Sequence, residues 1–145
     1  VVYDLYCGTG TLGICMAKDA EKVIGIELSP ESALDARENV KENRLSHVTI
    51  HTGDVGQILP KLIEDDQTKP QVVMVDPPRA GLDGRALQHL IALDAPFITY
   101  ISCNPATQAL NIEALSKAGY RIKALQPVDQ FSQTLHVENI VTLCR

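Results

Sequence analysis

The sequence contains no apolar stretch approaching the ~20 residues that a membrane-spanning helix requires, and no charged-then-apolar leader precedes its first motif. It has no C-x-x-C pair. Its four cysteines, Cys7, Cys15, Cys103 and Cys144, are scattered, a spacing that fits neither a zinc site nor a disulfide framework. A reducing, cytoplasmic setting is therefore the expectation. Positive charge is also in short supply: 13 Lys and Arg stand against 18 Asp and Glu, a net charge of −5. Phosphate contacts from Lys and Arg supply most non-specific nucleic-acid affinity, so a domain of this charge is not built to grip nucleic acid unaided. It calls for a basic partner domain or a small substrate. Neither a Met nor a helix precedes the first strand, which reads as the C-terminal part of a longer protein.

What is present is enough for one domain: 145 residues, nearly half of them apolar. Short apolar runs alternate with amphipathic stretches from end to end. Val1–Tyr6 reads as a buried strand, and Thr11–Lys18 as a helix capped by Thr9 or Thr11. Val23–Glu27 is the second strand. Ser29, Pro30 and Glu31 then open a helix to about Asn43, as N-cap, first-turn proline and early acid. Strands follow at His47–His51, Gln71–Val75 and Phe97–Ser102, with helices over Val55–Glu64 and Gly84–Leu93. Asn104 or Pro105 opens a further helix to Ala118, and strands over Arg121–Gln126 and Val137–Cys144 close the chain. No long helix separates the last two, so an antiparallel pairing is expected at that edge of an otherwise parallel α/β sheet covered on both faces. Ligands in such sheets bind beyond the carboxyl ends of the strands, and every chemistry-bearing motif of this chain falls at such an end.

Asp4-Leu5-Tyr6-Cys7-Gly8-Thr9-Gly10-Thr11 puts two glycines where a strand turns into a helix. Gly8 and Gly10 allow positive φ and close approach to a ligand. The motif is neither the G-x-G-x-x-G dinucleotide pattern nor a P-loop with its lysine; half of a dinucleotide-binding fold, or plain tight turns, remain alternatives. Glu27 ends the second strand, where a carboxylate accepts hydrogen bonds from ribose hydroxyls, and Asp54 follows the third, within range of an adenine amino group. The pattern resembles the class I S-adenosylmethionine-dependent methyltransferases, a Rossmann-like fold. That resemblance implies a cofactor site from Tyr6, Gly8, Gly10, Thr11, Glu27, Asp54 and Asp76.

Asp76-Pro77-Pro78-Arg79-Ala80-Gly81-Leu82 admits one reading besides a rigid proline turn. A D-P-P-[YF] motif orients an exocyclic amine for methylation, but here Arg79 stands at the aromatic position. Ser102-Cys103-Asn104-Pro105-Ala106-Thr107 is more specific, because a cysteine at a helix N-terminus is placed to favour thiolate. Pyrimidine C5 is a poor nucleophile until a thiolate adds to C6, which makes this covalent catalysis. Cys7, Cys15 and Cys144 read as inert small hydrophobes. The scheme needs a base for the C5 proton, and Glu138 in Phe131-Ser132-Gln133-Thr134-Leu135-His136-Val137-Glu138 is the candidate; a surface glutamate opening the last strand is the alternative. His136 positions the loop or substrate, or is structural. Arg37, Lys41 and Arg44 read as a solvated helix face.

Together these four motifs resemble the RNA uracil-C5 methyltransferases, the enzymes that make 5-methyluridine in tRNA and 23S rRNA, over nearly all 145 residues and in order. The resemblance implies a catalytic domain over residues 1–145, with S-adenosylmethionine as cofactor, RNA as partner, Cys103 as nucleophile and Glu138 as base. Pro77, Arg79 and His136 would support the substrate, and no metal or membrane takes part. The family's last motif reads D-x-F-P-x-T-x-H-x-E, and Ser132 stands where its proline would be. Upstream RNA-binding regions and a cofactor-contacting Gln of the family have no counterpart in these residues. Amino-group methylation and a non-catalytic cofactor- or RNA-binding module are the rival functions.

Overall fold

The computed structural model describes residues 1–64 and 69–145. Its elements run β1 (Val2–Leu5), α1 (Thr11–Met16) with a 3-10 turn over Ala17–Asp19, β2 (Val23–Glu27), α2 (Pro30–Glu42), β3 (Val48–Thr52), α3 (Val55–Glu64), β4 (Val72–Val75), α4 (Gly84–Ala92), β5 (Phe97–Ser102), α5 (Pro105–Lys117), β6 (Arg121–Val128) and β7 (Glu138–Cys144). They form one seven-stranded sheet in the order β3-β2-β1-β4-β5-β7-β6. β1 to β5 are parallel to one another, and β7 runs antiparallel to both its neighbours. This gives the α/β sheet with an antiparallel pairing at one edge that the strand spacing predicts. The chain moves outward from β1 to β3 and then returns to β4, so the switch point of the sheet lies between β1 and β4.

The two-residue period of the strands divides the interior. Tyr3, Leu5, Ile24, Ile26, Val73, Val75, Ile98, Tyr100, Val141 and Leu143 face α3, α4 and α5. Val2, Val23, Val48, Ile50 and Met74 face α1 and α2. Each large apolar side chain removed from water here contributes roughly 1.5–3 kcal/mol. β1 is buried along its whole length, whereas β6 is exposed over Arg121–Pro127, with Ile122 and Leu125 more than half accessible.

Helix boundaries fall close to expectation, with one correction of cause. Neither Thr9 nor Thr11 caps α1: its N-cap is Gly10 at φ 84°, without a side-chain cap, and the α-helix ends at Met16. The donor that a threonine would have taken belongs to Gly13, and it goes instead to Asp4 on β1 (2.7 Å). A carboxylate from the adjoining strand thus satisfies the helix terminus from below. α2 is capped as its sequence dictates, the Ser29 hydroxyl accepting from the Ser32 N–H at 3.2 Å. Arg37 is not merely solvated; it donates to the Ile50 carbonyl and the Thr52 hydroxyl, tying α2 to β3. Cys15 is exposed rather than packed.

Candidate active site

The Gly-rich turn is closed by backbone bonds and two acids. Cys7 N–H donates to the Ile26 carbonyl (3.0 Å) and Gly10 N–H to the Cys7 carbonyl (2.8 Å). Tyr6, Gly8 and Gly10 all have positive φ, at 64°, 55° and 84°. The left-handed region costs a non-glycine residue roughly 1–2 kcal/mol, so Tyr6 is held there by the bonds around it. Glu27 is central to that hold: one carboxylate oxygen accepts from Gly8 N–H (2.9 Å) and the other from Ser29 N–H (2.8 Å). It therefore joins the turn after β1 to the turn after β2 and keeps a lone pair on each oxygen for a ligand. Asp4 lies beneath. Burial, then the charges of Asp76 and Glu27, push its carboxyl up to about 6 against the lowering bond from Gly13, and its second oxygen has no partner among the described residues. Burial likewise pushes the Cys7 thiol up to about 12, which keeps it neutral.

Around this turn is a cleft of about 590 Å³, lined by Tyr6, Glu27, Leu28, Ser29, Pro30, Glu31, Asp76, Pro77 and Pro78. Its size suits a nucleoside-sized ligand, and it sits at the switch point. Another depression of about 620 Å³ lies at the opposite edge, by Lys69, Pro70, Gln71 and Pro96. That one is at the amino ends of β4 and β5, away from the end where parallel sheets bind ligands. Four residues chosen from the sequence, Tyr6, Glu27, Asp76 and Pro77, meet in the first cleft, with Gly8 bonded to Glu27 at its wall. Gly10, Thr11 and Asp54 are not in its lining, although the charge of Asp54 reaches the Tyr6 hydroxyl, which burial above all holds well above its ordinary range.

The second group of motifs meets across β4, β5 and β7. Ser102 hydroxyl accepts from Asn104 N–H (3.0 Å) and bonds its carbonyl (3.1 Å), turning the chain tightly around Cys103. Asn104 caps α5 through its side-chain oxygen, which accepts from Ala106 N–H (3.2 Å), and Pro105 follows at the first helical position. The same α5 turn grips the D-P-P-R loop, since Asn104 Nδ2 (3.3 Å) and the Thr107 hydroxyl (3.1 Å) both donate to the Arg79 carbonyl. One turn on, Asn111 accepts from Leu82 N–H (2.9 Å) and from the Tyr100 hydroxyl (2.7 Å). A Cβ on Gly81 would come within 2.7 Å of that Asn111 oxygen, so only glycine fits. The two motifs are thus one interlocked unit.

Strand register brings the nucleophile and base candidates together. The antiparallel β5–β7 ladder ends at the Ser102–Asn139 pair, so Cys103, which follows Ser102, and Glu138, which precedes Asn139, stand at the same end of the ladder. Cys103 and Glu138 are both partly accessible. Asp76 is near enough that the charge of Glu138 adds to partial burial in raising its carboxyl, so the two clusters share a border. Arg79 and His136 are exposed; His136 N–H donates to the Thr134 hydroxyl (3.1 Å), in a loop whose Phe131–Thr134 turn places Ser132 second. Sequence reasoning missed Asp4 as a cap, and Gln108, Asn111 and Asn139 as buried polar ties. Polar residues on the inward positions of a helix or strand were the available signal.

Residues 2–145 match the sequence model of the tRNA (uracil-5-)-methyltransferase family. An uncharacterized RNA methyltransferase from Protochlamydia amoebophila is 64% identical over 143 residues, 99% of this chain and 32% of the relative. One from Enterococcus faecalis is 46% identical over 145 residues, 100% of this chain and 32% of the relative. The chain spans about a third of the length of these relatives. Among solved structures, a tRNA (uracil-54, C5)-methyltransferase from Pyrococcus abyssi in complex with S-adenosyl-L-homocysteine superposes with a TM-score of 0.85 at 32% identity, over 98% of this chain and 33% of that one. Magnesium protoporphyrin IX methyltransferase from Synechocystis shares the fold, with a TM-score of 0.75 at 18% identity over 100% of this chain and 69% of that one.

Proposed function

The chain belongs to the tRNA (uracil-5-)-methyltransferase family, and on that premise we propose that it is the catalytic domain of an enzyme that methylates C5 of a uridine in RNA. The observation that carries this reading is that Cys103 and Glu138 stand at one end of the β5–β7 ladder, which borders the Glu27–Asp76 cleft. S-adenosylmethionine is the methyl donor, and when bound it supplies an electrophilic methyl group. The cleft suits it: Glu27 would accept from the ribose hydroxyls, and Tyr6, with Gly8 at the wall, would hold the methionine end, while Gly10, Thr11 and Asp54 would act from outside the lining. Asp76 lines the same cleft on the side toward Glu138 and would stand between the cofactor and that base.

The chemistry belongs to the other cluster. Cys103 Sγ adds as thiolate to uracil C6, and the ring electrons move to make an enolate whose C5 takes the methyl group. Glu138 then removes the C5 proton, the C5–C6 double bond re-forms and the C6–S bond breaks, returning the thiolate. Pro77 and Arg79 border the base pocket, and His136 flanks the loop that leads into Glu138. A uridine stacked in a helix does not reach Cys103, so the target must be unstacked. With a net charge of −5, this domain leaves most of the phosphate grip to the rest of the full-length protein.

The test uses full-length protein, S-adenosylmethionine and RNA carrying 5-fluorouridine. Fluorine cannot leave C5 as a proton, so a C5 methyltransferase stalls as a covalent protein–RNA adduct. We expect that adduct at Cys103, seen by denaturing gel and mass spectrometry, and its loss in Cys103→Ala. Methyl transfer to ordinary RNA without any adduct would reject the scheme in favour of amino-group methylation.

A further inference from the structure

Beneath the Cys103–Glu138 pair lies a polar contact that the reaction scheme does not use. Gln108 on α5 is 1% exposed and Asn139 on β7 is 8% exposed. Asn139 Nδ2 donates to Gln108 Oε1 (2.7 Å). Gln108 Nε2 donates in return to the Asn139 carbonyl (3.0 Å) and to the Tyr100 carbonyl of β5 (2.9 Å). A single side chain thus joins the helix behind Cys103 to both strands of the ladder. The contact therefore sits one residue from the base on β7, and on β5 it holds the Tyr100 carbonyl, three residues before the nucleophile. Successive side chains in a strand point to opposite faces. With Asn139 turned toward Gln108 on α5, Glu138 lies on the opposite face of β7.

The location matters because β7 begins there after a weakly held stretch. β6 is exposed over Arg121–Pro127, and the loop from Asp129 to Val137 is exposed throughout. Asn139 is the first residue of β7 to be buried. A slip of one residue in this ladder would turn Glu138 to the wrong face, and the reciprocal amide pair defines one register. We propose that Gln108 and Asn139 are positioning residues that hold Glu138 over the cysteine-bound pyrimidine for proton removal. The proposal rests on the assignment of Cys103 and Glu138 made above, and it predicts a step-specific defect rather than a general loss.

The test compares two RNAs with the full-length protein. In Gln108→Met the amide is lost while length and bulk are kept. Adduct formation with 5-fluorouridine RNA, which reads thiol addition and methyl transfer, should stay within about 3-fold of wild type. Turnover on ordinary uridine RNA should fall at least about 10-fold, the scale of a misplaced catalytic group, with a methylated protein–RNA adduct accumulating. The double variant Gln108→Asn/Asn139→Gln, which exchanges the amides, should restore elimination. If Gln108→Met fails to fold, by thermal unfolding, Asn139→Ala breaks the contact from the other side and is read the same way. A folded variant that loses both steps in parallel, or that turns over like wild type, overturns the proposal. Absence of any 5-fluorouridine adduct in wild type would instead reject the underlying reaction.

Discussion

At the carboxyl ends of β1 and β2 the chain closes its site with its own backbone, while at β5 and β7 it relies on the register between two strands. In the first region Glu27 accepts two loop N–H groups, Asp4 accepts a third from α1, and the strands beneath are buried almost throughout. In the second, Cys103 and Glu138 lie thirty-five positions apart in sequence and are brought to one end of an antiparallel ladder whose outer neighbour is open to solvent. The difference matches what the proposed function asks of each region. A cofactor cleft needs preformed acceptors and fixed turns, whereas a site that receives an unstacked base needs access. Short-range bonds suit the first task, and long-range pairing left open on one side suits the second.

Removing the base tests the open region most severely. Glu138→Gln should lower turnover by about 10²–10⁴-fold, the usual range for general base catalysis, with a methylated RNA adduct accumulating on denaturing gels. Unchanged turnover would mean that the register pairing has no catalytic meaning.

Asp4 tests the closed region through pH. Its folded value of about 6 lies above the ordinary 3.8, so the folded state holds the proton more tightly than the unfolded one. This contribution to stability is therefore full below about pH 4 and is lost as pH rises to about 6, by on the order of 3 kcal/mol. In Asp4→Asn that slope should disappear, as seen by urea unfolding at a series of pH values.

Glu27→Gln keeps the shape of the same region but presents an amide N–H₂ to one of two backbone N–H groups. We expect affinity for S-adenosylhomocysteine to drop about 10- to 100-fold by calorimetry, the scale of a lost bond to a charged group. The smallest effect returns to the open region. Ser132 follows Phe131 in a turn closed by Thr134 N–H on the Phe131 carbonyl (3.1 Å), with Gln133 at positive φ next. Proline favours that second position of a turn, so Ser132→Pro should stabilise by about 0.4–1 kcal/mol in thermal unfolding.

The closed region was the more legible in the sequence. The Gly-rich turn, Glu27 and the Ser29-Pro30-Glu31 cap are local patterns, and each forms within a few residues of where it is written. Even there, Tyr6 at positive φ and Asp4 as the cap of α1 escaped notice, because both depend on neighbours across the fold. In the open region the cysteine and glutamate were readable as residue types in motifs. Their juxtaposition was not, since it follows from β7 entering between β5 and β6. The ties through Gln108, Asn111 and Asn139 were also hidden, because amides look like surface residues until the helix facing them is known.

The sequence by itself determined the alternation of strands and helices, the turns that end the strands, and the residue types able to bind a nucleoside and attack a pyrimidine, because propensity, capping and turn chemistry act over a few residues. Tertiary structure alone decided which carboxylate stands at the cysteine's end of the ladder, which acid closes α1 and which amides tie the ladder to α5. Those are contacts between groups far apart in the chain, set by sheet order and by the requirement that buried polar atoms find partners.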